Sequence, residues 1–341
     1  MSAYEKAQQA LREEPKTWLV TGAAGFIGSN LVEALLKLNQ RVVGLDNFAT
    51  GYRHNIDAAL EDAGVDPETP LFRFIEGDIC SLDDCHKACE GVDYVLHQAA
   101  IGSVPRSIED PITTHRVNLD GFVNMLVAAR DAKVERFVYA SSSSVYGDEP
   151  TLPKVEDRVG NPLSPYAVTK CANEQYARVF SSAYDIATVG LRYFNIFGKR
   201  QDPNGAYAAV IPRWIQAMLD GRRVVAYGDG ETSRDFCYVA NAIQANLLAA
   251  FSRVPSAARV YNVACHERTS LNHLFELLRS RLSANLTAAE SCQLQYESFR
   301  PGDIRHSLAN VDLIRDELGY EATDLIEPGL DRYCRWFTHR E

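Results

Sequence analysis

The stretch "TWLVTGAAGFIGSNLVEALL", residues 17–36, decides the fold. It begins with a short apolar run, continues through Gly22, Gly25 and Gly28 in a GxxGxxG spacing, and ends in an amphipathic segment. This order predicts a buried strand, a tight turn and a helix. Glycines permit the turn and let a ligand's phosphates approach the backbone, where the helix N-terminus presents N–H groups and a positive dipole end. The stretch therefore predicts a dinucleotide pyrophosphate site.

An acidic residue follows at the end of the second predicted strand, "RVVGLD" at 41–46. Asp46 is placed to accept hydrogen bonds from the hydroxyl groups of an adenosine ribose, and a carboxylate there would repel a 2′-phosphate. The predicted cofactor is therefore NAD rather than NADP. Further along, Asp78 and Ile79 end the third predicted strand as adenine contacts, and the small Ala99 and Ala100 follow the fourth.

The same alternation of apolar runs with helix-like segments continues to about residue 195. Near-continuous apolar strands alternating with helices predict a parallel sheet that is covered on both faces, which is a doubly wound (Rossmann) α/β architecture. Ligands of such sheets bind at the carboxyl ends of the strands. The predicted strands lie at 17–21, 41–46, 71–78, 92–99, 136–141 and 188–194.

After about residue 195, glycine and proline become frequent and only short strands are predicted, at 223–227 and 259–263. This pattern predicts a smaller α+β lobe that binds the substrate. The expected divisions are a helical N-terminal extension at 1–15, an NAD-binding domain at 16–195 and the smaller lobe at 196–341, with the chain crossing back to the sheet around 235–265.

Composition excludes several classes of protein. With 46% hydrophobic and 23% charged residues in 341, the chain is an ordinary globular protein, and no apolar run reaches the ~18 residues of a membrane span. The polar N-terminus lacks the apolar core of a signal peptide, and eight scattered cysteines without a CxxC pair predict free thiols in the cytoplasm and no metal site. A net charge of −10 argues against nucleic acid or an anionic membrane as the partner.

A tyrosine stands one helical turn before a lysine in "SPYAVTK", residues 164–170. Tyr166 and Lys170 therefore share a helix face. Free tyrosine, with a pKa near 10, is a poor base, but a neighbouring ammonium together with an oxidised nicotinamide would favour the phenolate. Upstream, "YASSSSVYGD" at 139–148 ends the fifth predicted strand in serines, whose hydroxyl groups would project from the same edge of the sheet.

Together, GxxGxxG, the strand-end serines and YxxxK resemble the extended short-chain dehydrogenase/reductase family over nearly the whole chain. The stretches "GLDNFATG", "HQAAIGSVPRS", "LRYFNIFGKRQDPNGAYAAVIPRW", "GDGETSRDFCYV" and "RPGDIRHS" are similar to those of UDP-N-acetylglucosamine 4-epimerases. The resemblance implies inversion at C4 of a UDP-sugar through a 4-keto intermediate, with NAD held tightly throughout. It also implies a homodimer built on helices at about 116–131 and 165–183.

The resemblance assigns roles to individual residues. Tyr166 is the base, Lys170 supports it and binds the nicotinamide ribose, and Ser142, with Ser143 as a rival, relays the proton. The implied cofactor contacts are Gly22, Gly25, Phe26, Ile27, Gly28, Asp46, Asn47, Gly51, Asp78, Ile79, Gln98, Ala99, Ala100, Tyr166, Lys170 and Tyr193. The implied substrate contacts are Gly102, Ser103, Ser142, Ser143, Asn195, Ala209, Val210, Tyr227, Arg234, Arg300, Asp303 and Ser307.

Within that set, Asn195 meets the first phosphate or the sugar, and Arg234 and Arg300 hold the diphosphate, for which the guanidinium fork suits bidentate pairing. Related dehydratases carry acids after the strand-end hydroxyl, as in "TDEVYG", whereas this chain has serines there. Small Ser307, four residues after Asp303, leaves room for an N-acetyl group.

Three other functions stay open. The substrates could be UDP-glucose and UDP-galactose, or the uronic acid forms, which need a positive group near C6 such as Arg106 or Arg268. A catalytically silent NAD-dependent regulator is the third, although such proteins usually lose the tyrosine or lysine that this chain retains.

Overall fold

The structure is a computed structural model that describes residues 1–204, 208–251, 258–283, 287–299 and 304–338. Two predicted substrate contacts, Arg300 and Asp303, lie outside the described residues. The strands are β1 (Thr17–Thr21), β2 (Arg41–Asp46), β3 (Phe72–Glu76), β4 (Tyr94–His97), β5 (Arg136–Ser142), β6 (Thr188–Tyr193), β7 (Ile196–Phe197), β8 (Val224–Tyr227), β9 (Ser233–Arg234), β10 (Cys237–Tyr238), β11 (Arg259–Val263), β12 (Thr269–Ser270) and β13 (Leu294–Glu297).

The helices are α1 (Ala3–Glu13), α2 (Phe26–Lys37), α3 (Arg53–Ala63), α4 (Leu82–Cys89), α5 (Val104–Glu109), α6 (Pro111–His115), α7 (Gly121–Asp131), α8 (Pro165–Tyr184), α9 (Val210–Leu219), α10 (Val239–Phe251), α11 (Leu271–Ser283), α12 (Thr287–Glu290), α13 (Asp312–Leu318) and α14 (Ile326–Thr338). A π-helical turn at Arg116–Asp120 leads into α7, and a 3-10 turn at Ser143–Tyr146 follows β5. None of the helices in the described part of the chain combines the length and hydrophobicity that crossing a membrane requires.

The central sheet has seven strands in the order β3-β2-β1-β4-β5-β6-β11, and every neighbouring pair is parallel. The chain order reverses between β1 and β4, so a crevice opens there at the carboxyl ends of the strands. The predicted doubly wound α/β fold is confirmed. β1 and β2 have their predicted bounds, whereas β3 and β4 are shorter because Gly77–Asp78 and Gln98–Ala99 leave the sheet to border the crevice.

Alternate residues of each strand face opposite layers of helices. Trp18 and Val20 of β1 belong to a core that includes residues of α2, α3 and α10. Leu19, between them, belongs to the opposite core, which contains Phe122 of α7 and Phe180 of α8. Both faces of the sheet are therefore covered, as the apolar strand sequences require.

The smaller lobe has its own core around Trp214, Phe236, Leu278 and Tyr333. Its strands pair in twos, β7 with β10 and β8 with β13 in parallel, and β9 with β12 antiparallel. Short strands and helices α9, α11 and α14 thus form the predicted α+β lobe, beside the crevice of the sheet.

Candidate active site

The glycine turn after β1 has the close packing that its sequence predicts. Gly22 has a positive φ of 66°, and a Cβ at Gly28 would lie 2.0 Å from the Gly22 carbonyl oxygen. A Cβ on Gly22 itself would lie 2.9 Å from the Ala99 nitrogen. Side chains at these two positions would break the contact between β1, α2 and the end of β4, so the turn stays open for a ligand at the N-terminus of α2.

A cleft of about 660 Å³ runs along the carboxyl ends of the strands. It is lined by every predicted cofactor contact except one, namely Gly22, Gly25, Phe26, Ile27, Gly28, Asp46, Asn47, Asp78, Ile79, Gln98, Ala99, Ala100, Tyr166, Lys170 and Tyr193. The exception is Gly51, where a Cβ would lie 2.7 Å from the Ala24 carbonyl carbon. Gly51 packs against the glycine turn and does not line the cleft among the described residues.

Asp46 also stabilises the glycine turn itself. Its Oδ2 accepts a hydrogen bond from the Ala24 nitrogen at 2.9 Å, and its Oδ1 accepts one from the Phe48 nitrogen at 2.8 Å. Burial outweighs these bonds and raises the pKa of the Asp46 carboxyl. Each carboxylate oxygen has a second lone pair, so both remain able to accept from the ribose diol of NAD. The glycine turn, the cleft and Asp46 together fit this cofactor.

Tyr166 and Lys170 reach the cleft from the first two turns of α8. The Ser164 hydroxyl caps this helix by accepting from the Ala167 nitrogen at 3.1 Å, and Pro165 occupies the first helical position. Ser142 lines the cleft beside Tyr166, and its side chain acts to lower the pKa of the Tyr166 phenol. Lys170 Nζ donates to the Ala140 carbonyl oxygen at 2.8 Å and lies 5.8 Å from the centre of the Tyr166 ring.

Burial controls the ionisation of this pair. It raises the pKa of Tyr166, and the side chain of Ser142 opposes that shift. Burial also lowers the pKa of Lys170 to about 8, although the negative charge of Glu174 acts to raise it. The expected fall in the pKa of Tyr166 is therefore not found in the protein alone, because desolvation of the phenolate is the larger effect.

The strand-end serines occupy different environments. Ser141 and Ser142 both line the cleft, and the buried Ser141 donates to Glu174 Oε1 at 2.5 Å. Glu174 forms a buried ion pair with Arg192, 2.8 Å between Oε2 and Nη2. Ser143 begins the 3-10 turn and is not among the described residues that line the cleft. Of the two candidate proton relays, Ser142 is the one brought to Tyr166.

A second pocket of about 240 Å³ adjoins the cleft in the smaller lobe. Asn195 and Ala209 line both spaces, and the predicted substrate contacts Val210, Tyr227 and Arg234 line the second one. The cleft itself is bordered by two further predicted substrate contacts, Gly102 and Ser103. A substrate that extends from Tyr166 to Arg234 would thus occupy both spaces.

Basic residues gather beside this second pocket. Burial, followed by the charges of Arg268, Arg305 and Arg234, lowers the pKa of His306. Arg268 therefore lies with the predicted diphosphate-binding arginine, whereas Arg106 lines the cleft that contains Tyr166. Ser307 directly follows His306 in the sequence, and its backbone nitrogen donates to the Ser233 carbonyl oxygen at 3.1 Å.

Sequence reasoning missed cleft residues from two loops. The hydroxyl of Tyr52, after β2, donates to Asp202 Oδ2 at 2.8 Å, and Gln201 lines the cleft beside Asp202. These residues stand in polar loops without periodicity, and 150 positions separate the two hydrogen-bonded partners. No local pattern could have paired them.

A doubly wound sheet that presents a glycine turn, a ribose-binding acid and a Ser-Tyr-Lys group in one cleft defines a dinucleotide-dependent enzyme. The model of the NAD dependent epimerase/dehydratase family matches residues 18–264, and the chain belongs to that family. The predicted membership of the extended short-chain dehydrogenase/reductases and the predicted cofactor, NAD, are confirmed.

Several relatives and solved structures that are similar to this chain are 4-epimerases. A putative UDP-glucose 4-epimerase of Methanocaldococcus jannaschii is 33% identical over 93% of this chain and 97% of its own. The structure of a UDP-N-acetylglucosamine 4-epimerase from Methanobrevibacter ruminantium M1, in complex with UDP-N-acetylmuramic acid, is 36% identical with a TM-score of 0.86, covering 96% and 99% of the two chains. A UDP-glucuronic acid 4-epimerase from Bacillus cereus, in complex with UDP-glucuronic acid and NAD, is 30% identical with a TM-score of 0.84, covering 95% and 100%. The predicted enzyme class, an NAD-dependent UDP-sugar 4-epimerase, agrees with all three.

Proposed function

We propose that the protein interconverts UDP-N-acetylglucosamine and UDP-N-acetylgalactosamine by inversion at C4. One observation carries the proposal: Tyr166, Ser142 and Lys170 line one cleft, and that cleft adjoins the pocket of Arg234. A UDP-sugar has a hydroxyl to deprotonate at one end and an anionic diphosphate at the other. The cleft at Tyr166 would receive the sugar hydroxyl, and the pocket of Arg234 would receive the diphosphate.

Bound NAD supplies the acceptor, and later the donor, of the hydride at C4. Tyr166, as a phenolate, takes the proton of the sugar 4-hydroxyl, and Ser142 hydrogen-bonds the same oxygen. Lys170 stabilises the phenolate by its positive charge, which its pKa of about 8 preserves at neutral pH. The resulting 4-keto sugar turns about its diphosphate linkage, and Tyr166 returns the proton after the other face is presented. Arg234 and Asn195 hold the diphosphate end during that rotation.

Epimerisation is favoured over elimination of water because an acid is missing from the segment after β5. Residues 142–147 read "SSSVYG" and contain no carboxylate. The carboxylates that line the cleft within the described residues belong to Asp46, Asp78 and Asp202, which follow other strands. Removal and return of a single proton needs only Tyr166 with Ser142.

The N-acetyl form of the sugar is favoured by small side chains. Gly102, Ser103 and Ala209 line the cleft, and Ser307 follows the basic cluster. Such residues leave space for a 2-acetamido group, and the relative from Methanobrevibacter ruminantium M1 bears the name of this reaction.

A uronic acid is the second candidate substrate. Arg106 lines the same cleft as Tyr166, where its guanidinium could pair with a sugar carboxylate. The Bacillus cereus relative is crystallised with such a sugar nucleotide. UDP-glucose and UDP-galactose are the third candidate pair of substrates, because the Methanocaldococcus jannaschii relative is named a putative UDP-glucose 4-epimerase.

One assay distinguishes these substrates. Purified enzyme is given UDP-N-acetylglucosamine, UDP-glucose and UDP-glucuronic acid separately, and the C4 epimers are separated by chromatography. The highest kcat/KM is expected for the N-acetyl sugar, and Tyr166→Phe, which keeps the ring but removes the base, should lower kcat by at least about a thousandfold. Highest kcat/KM on the uronic acid would transfer the proposal to that substrate class, and normal turnover by Tyr166→Phe would refute the mechanism.

We also propose a homodimer that works in the cytoplasm. Support for the dimer comes from α8, where Val168, Tyr176 and Val179 are 51%, 41% and 55% exposed. These residues lie on one side of the helix, since eight and eleven residues are close to two and three turns. Support for the cytoplasm comes from the eight cysteines, all free thiols.

A further inference from the structure

The basic cluster of the smaller lobe is assembled from three separate segments of the chain. Arg234 stands on β9, Arg268 stands between β11 and β12, and Arg305 stands in the segment before α13. Arg305 Nη2 lies 2.6 Å from Asp229 Oδ2, which offsets part of the repulsion between the arginines. The three segments must still be held together for the arginines to face one anion.

The carboxylate of Asp235 is one attachment between the three segments. It directly follows Arg234 and is fully buried. Its Oδ1 accepts a hydrogen bond from the Cys265 nitrogen at 2.9 Å, and its Oδ2 accepts one from the Ala309 nitrogen at 3.1 Å. Each of the other two segments thus gives one backbone N–H group to the same side chain.

Other bonds complete the attachment around Asp235. The Ser233 nitrogen donates to the Arg305 oxygen at 3.0 Å, and the Ser307 nitrogen donates back to Ser233 at 3.1 Å. Arg234 Nη1 donates to the Ser233 and Arg305 carbonyl oxygens at 2.9 and 3.3 Å. The segment of Arg268 is joined to β9 by the antiparallel pairing of β12 and to the third segment by His266 Nδ1, 2.5 Å from the Ala309 oxygen. Asp235 is a single side chain that bonds to both other segments at once.

A carboxylate is a costly choice for a purely structural link. Burial raises the pKa of Asp235 to about 6, above its ordinary 3.8, despite the backbone hydrogen bonds. A raised carboxyl pKa means that the folded state is favoured at acid pH and that this contribution is lost as pH rises from 3.8 through 6. At neutral pH the ionised side chain is therefore less favourable in the folded protein than the protonated one would be. The carboxylate does supply two separate acceptor oxygen atoms, whereas the amide of asparagine has one.

We infer that Asp235 is a positioning residue that holds the arginines of the diphosphate site in their binding arrangement. The inference rests on the proposed function, because it assumes that Arg234 binds the diphosphate of a UDP-sugar. Asp235 itself faces backbone N–H groups and acts on the substrate through its neighbours. Its effect should therefore fall on substrate affinity, while the chemistry at Tyr166, Ser142 and Lys170 on the central sheet continues.

The test compares Asp235→Asn and Asp235→Ser with the wild-type enzyme. In Asp235→Asn, an amide N–H₂ faces one of the two backbone N–H groups, and Asp235→Ser keeps one acceptor in less volume. For the variants we expect KM for UDP-N-acetylglucosamine and the calorimetric Kd for UDP to rise about tenfold or more. We expect kcat to change by less than about threefold and the content of bound NAD to stay unchanged.

The matched control is Asp324→Asn, another buried carboxylate of the smaller lobe, whose Oδ1 lies 2.7 Å from Arg332 Nη1. It should leave KM and the UDP Kd unaltered even where it lowers the melting temperature. Folded Asp235 variants with normal KM would overturn the inference alone. Loss of NAD and of folded protein in both variants would also overturn it, because Asp235 would then support the whole fold. A wild-type enzyme that neither binds UDP nor turns over a UDP-sugar would overturn the proposed function as well.

Discussion

At the scale of single residues, the chemistry of the site depends on how burial shifts the pKa values of Tyr166 and Lys170. Burial opposes the ionisation of Tyr166 and the positive charge of Lys170. Ser142 acts in the opposite direction on Tyr166 and favours the phenolate. In the proposed mechanism, Ser142 therefore supports the basicity of the tyrosine in addition to its contact with the sugar oxygen.

The two adjacent serines give a matched pair of variants. We expect Ser142→Ala to lower kcat about a hundredfold, because the hydrogen bond to the reacting oxygen is lost. We expect Ser143→Ala to stay within about threefold of wild type. The pKa of Tyr166 should rise further in Ser142→Ala, so the alkaline rise of kcat against pH moves to higher pH. A large loss in Ser143→Ala with a normal Ser142→Ala would reverse the assignment.

Local patterns explain which site residues were predictable. The glycine turn, Asp46 and the Tyr166–Lys170 pair each lie within one strand–turn–helix unit or one helical turn, so spacing alone selects them as candidates, and the structure places them in one cleft. The choice between Ser142 and Ser143 depends on the last residue of a strand, which a pattern fixes only to within a residue or two. The contact between Tyr52 and Asp202 depends on folding alone.

At the scale of elements, a buried ion network fixes the loop after β7. The guanidinium of Arg200 is fully buried and contacts Glu33 Oε2 of α2 at 2.6 Å and Asp62 Oδ2 of α3 at 2.8 Å. Lys199 reaches the same two carboxylates. The network anchors the smaller lobe's first loop to two helices of the NAD-binding domain and so positions the cleft residues that follow Arg200.

This network should contribute acid-sensitive stability. Burial opposes ionisation of Glu33, but Arg200 and Lys199 dominate together and lower its pKa from 4.5 to about 2. A lowered carboxyl pKa gives stability that is present above pH 4.5 and is lost as pH falls toward 2. Glu33→Gln should therefore reduce the free energy of unfolding by about 3 kcal/mol at pH 7, and by less at pH 3.5.

Urea unfolding at the two pH values measures this difference. Glu61→Gln, an exposed acid of α3, is the control and should change stability by less than about 0.5 kcal/mol. A Glu33→Gln deficit that is equal at both pH values would show that packing, and not charge, accounts for the loss.

At the scale of the whole molecule, elements that are distant in the sequence lie side by side in the central sheet and its covering layer of helices. The seventh strand of the sheet, β11, and the helix α10 that packs on the sheet come from the second half of the sequence. The short strand expected at 259–263 has the sequence RVYNV and is β11, the strand that joins the edge of the sheet. The position of β11 beside β6 depends on the open edge of the assembled sheet, and the sequence of β11 itself does not specify it. The cleft also depends on the assembled sheet, since it lies at the carboxyl ends of strands that are separated in the sequence.

Assembly of two molecules is the remaining step at this scale. Val168, Tyr176 and Val179 expose apolar side chains on one side of α8, and a twofold axis would bring them against their own copies. We expect light scattering to give about twice the 37.9 kDa of one chain. Val179→Glu would place two carboxylates at the contact and should yield a monomer, because a buried unpaired charge costs several kcal/mol.

Val159→Glu, at a similarly exposed valine outside the helices, is the matched control and should remain dimeric. The first two turns of α8 carry Tyr166 and Lys170, so the dimer contact and the catalytic pair share one rigid element. Monomeric Val179→Glu should consequently lose part of its activity at low protein concentration, through looser packing of α8 against β5. A wild-type enzyme that is monomeric at micromolar concentration, or a Val179→Glu variant that stays dimeric, would rule out this face as the contact.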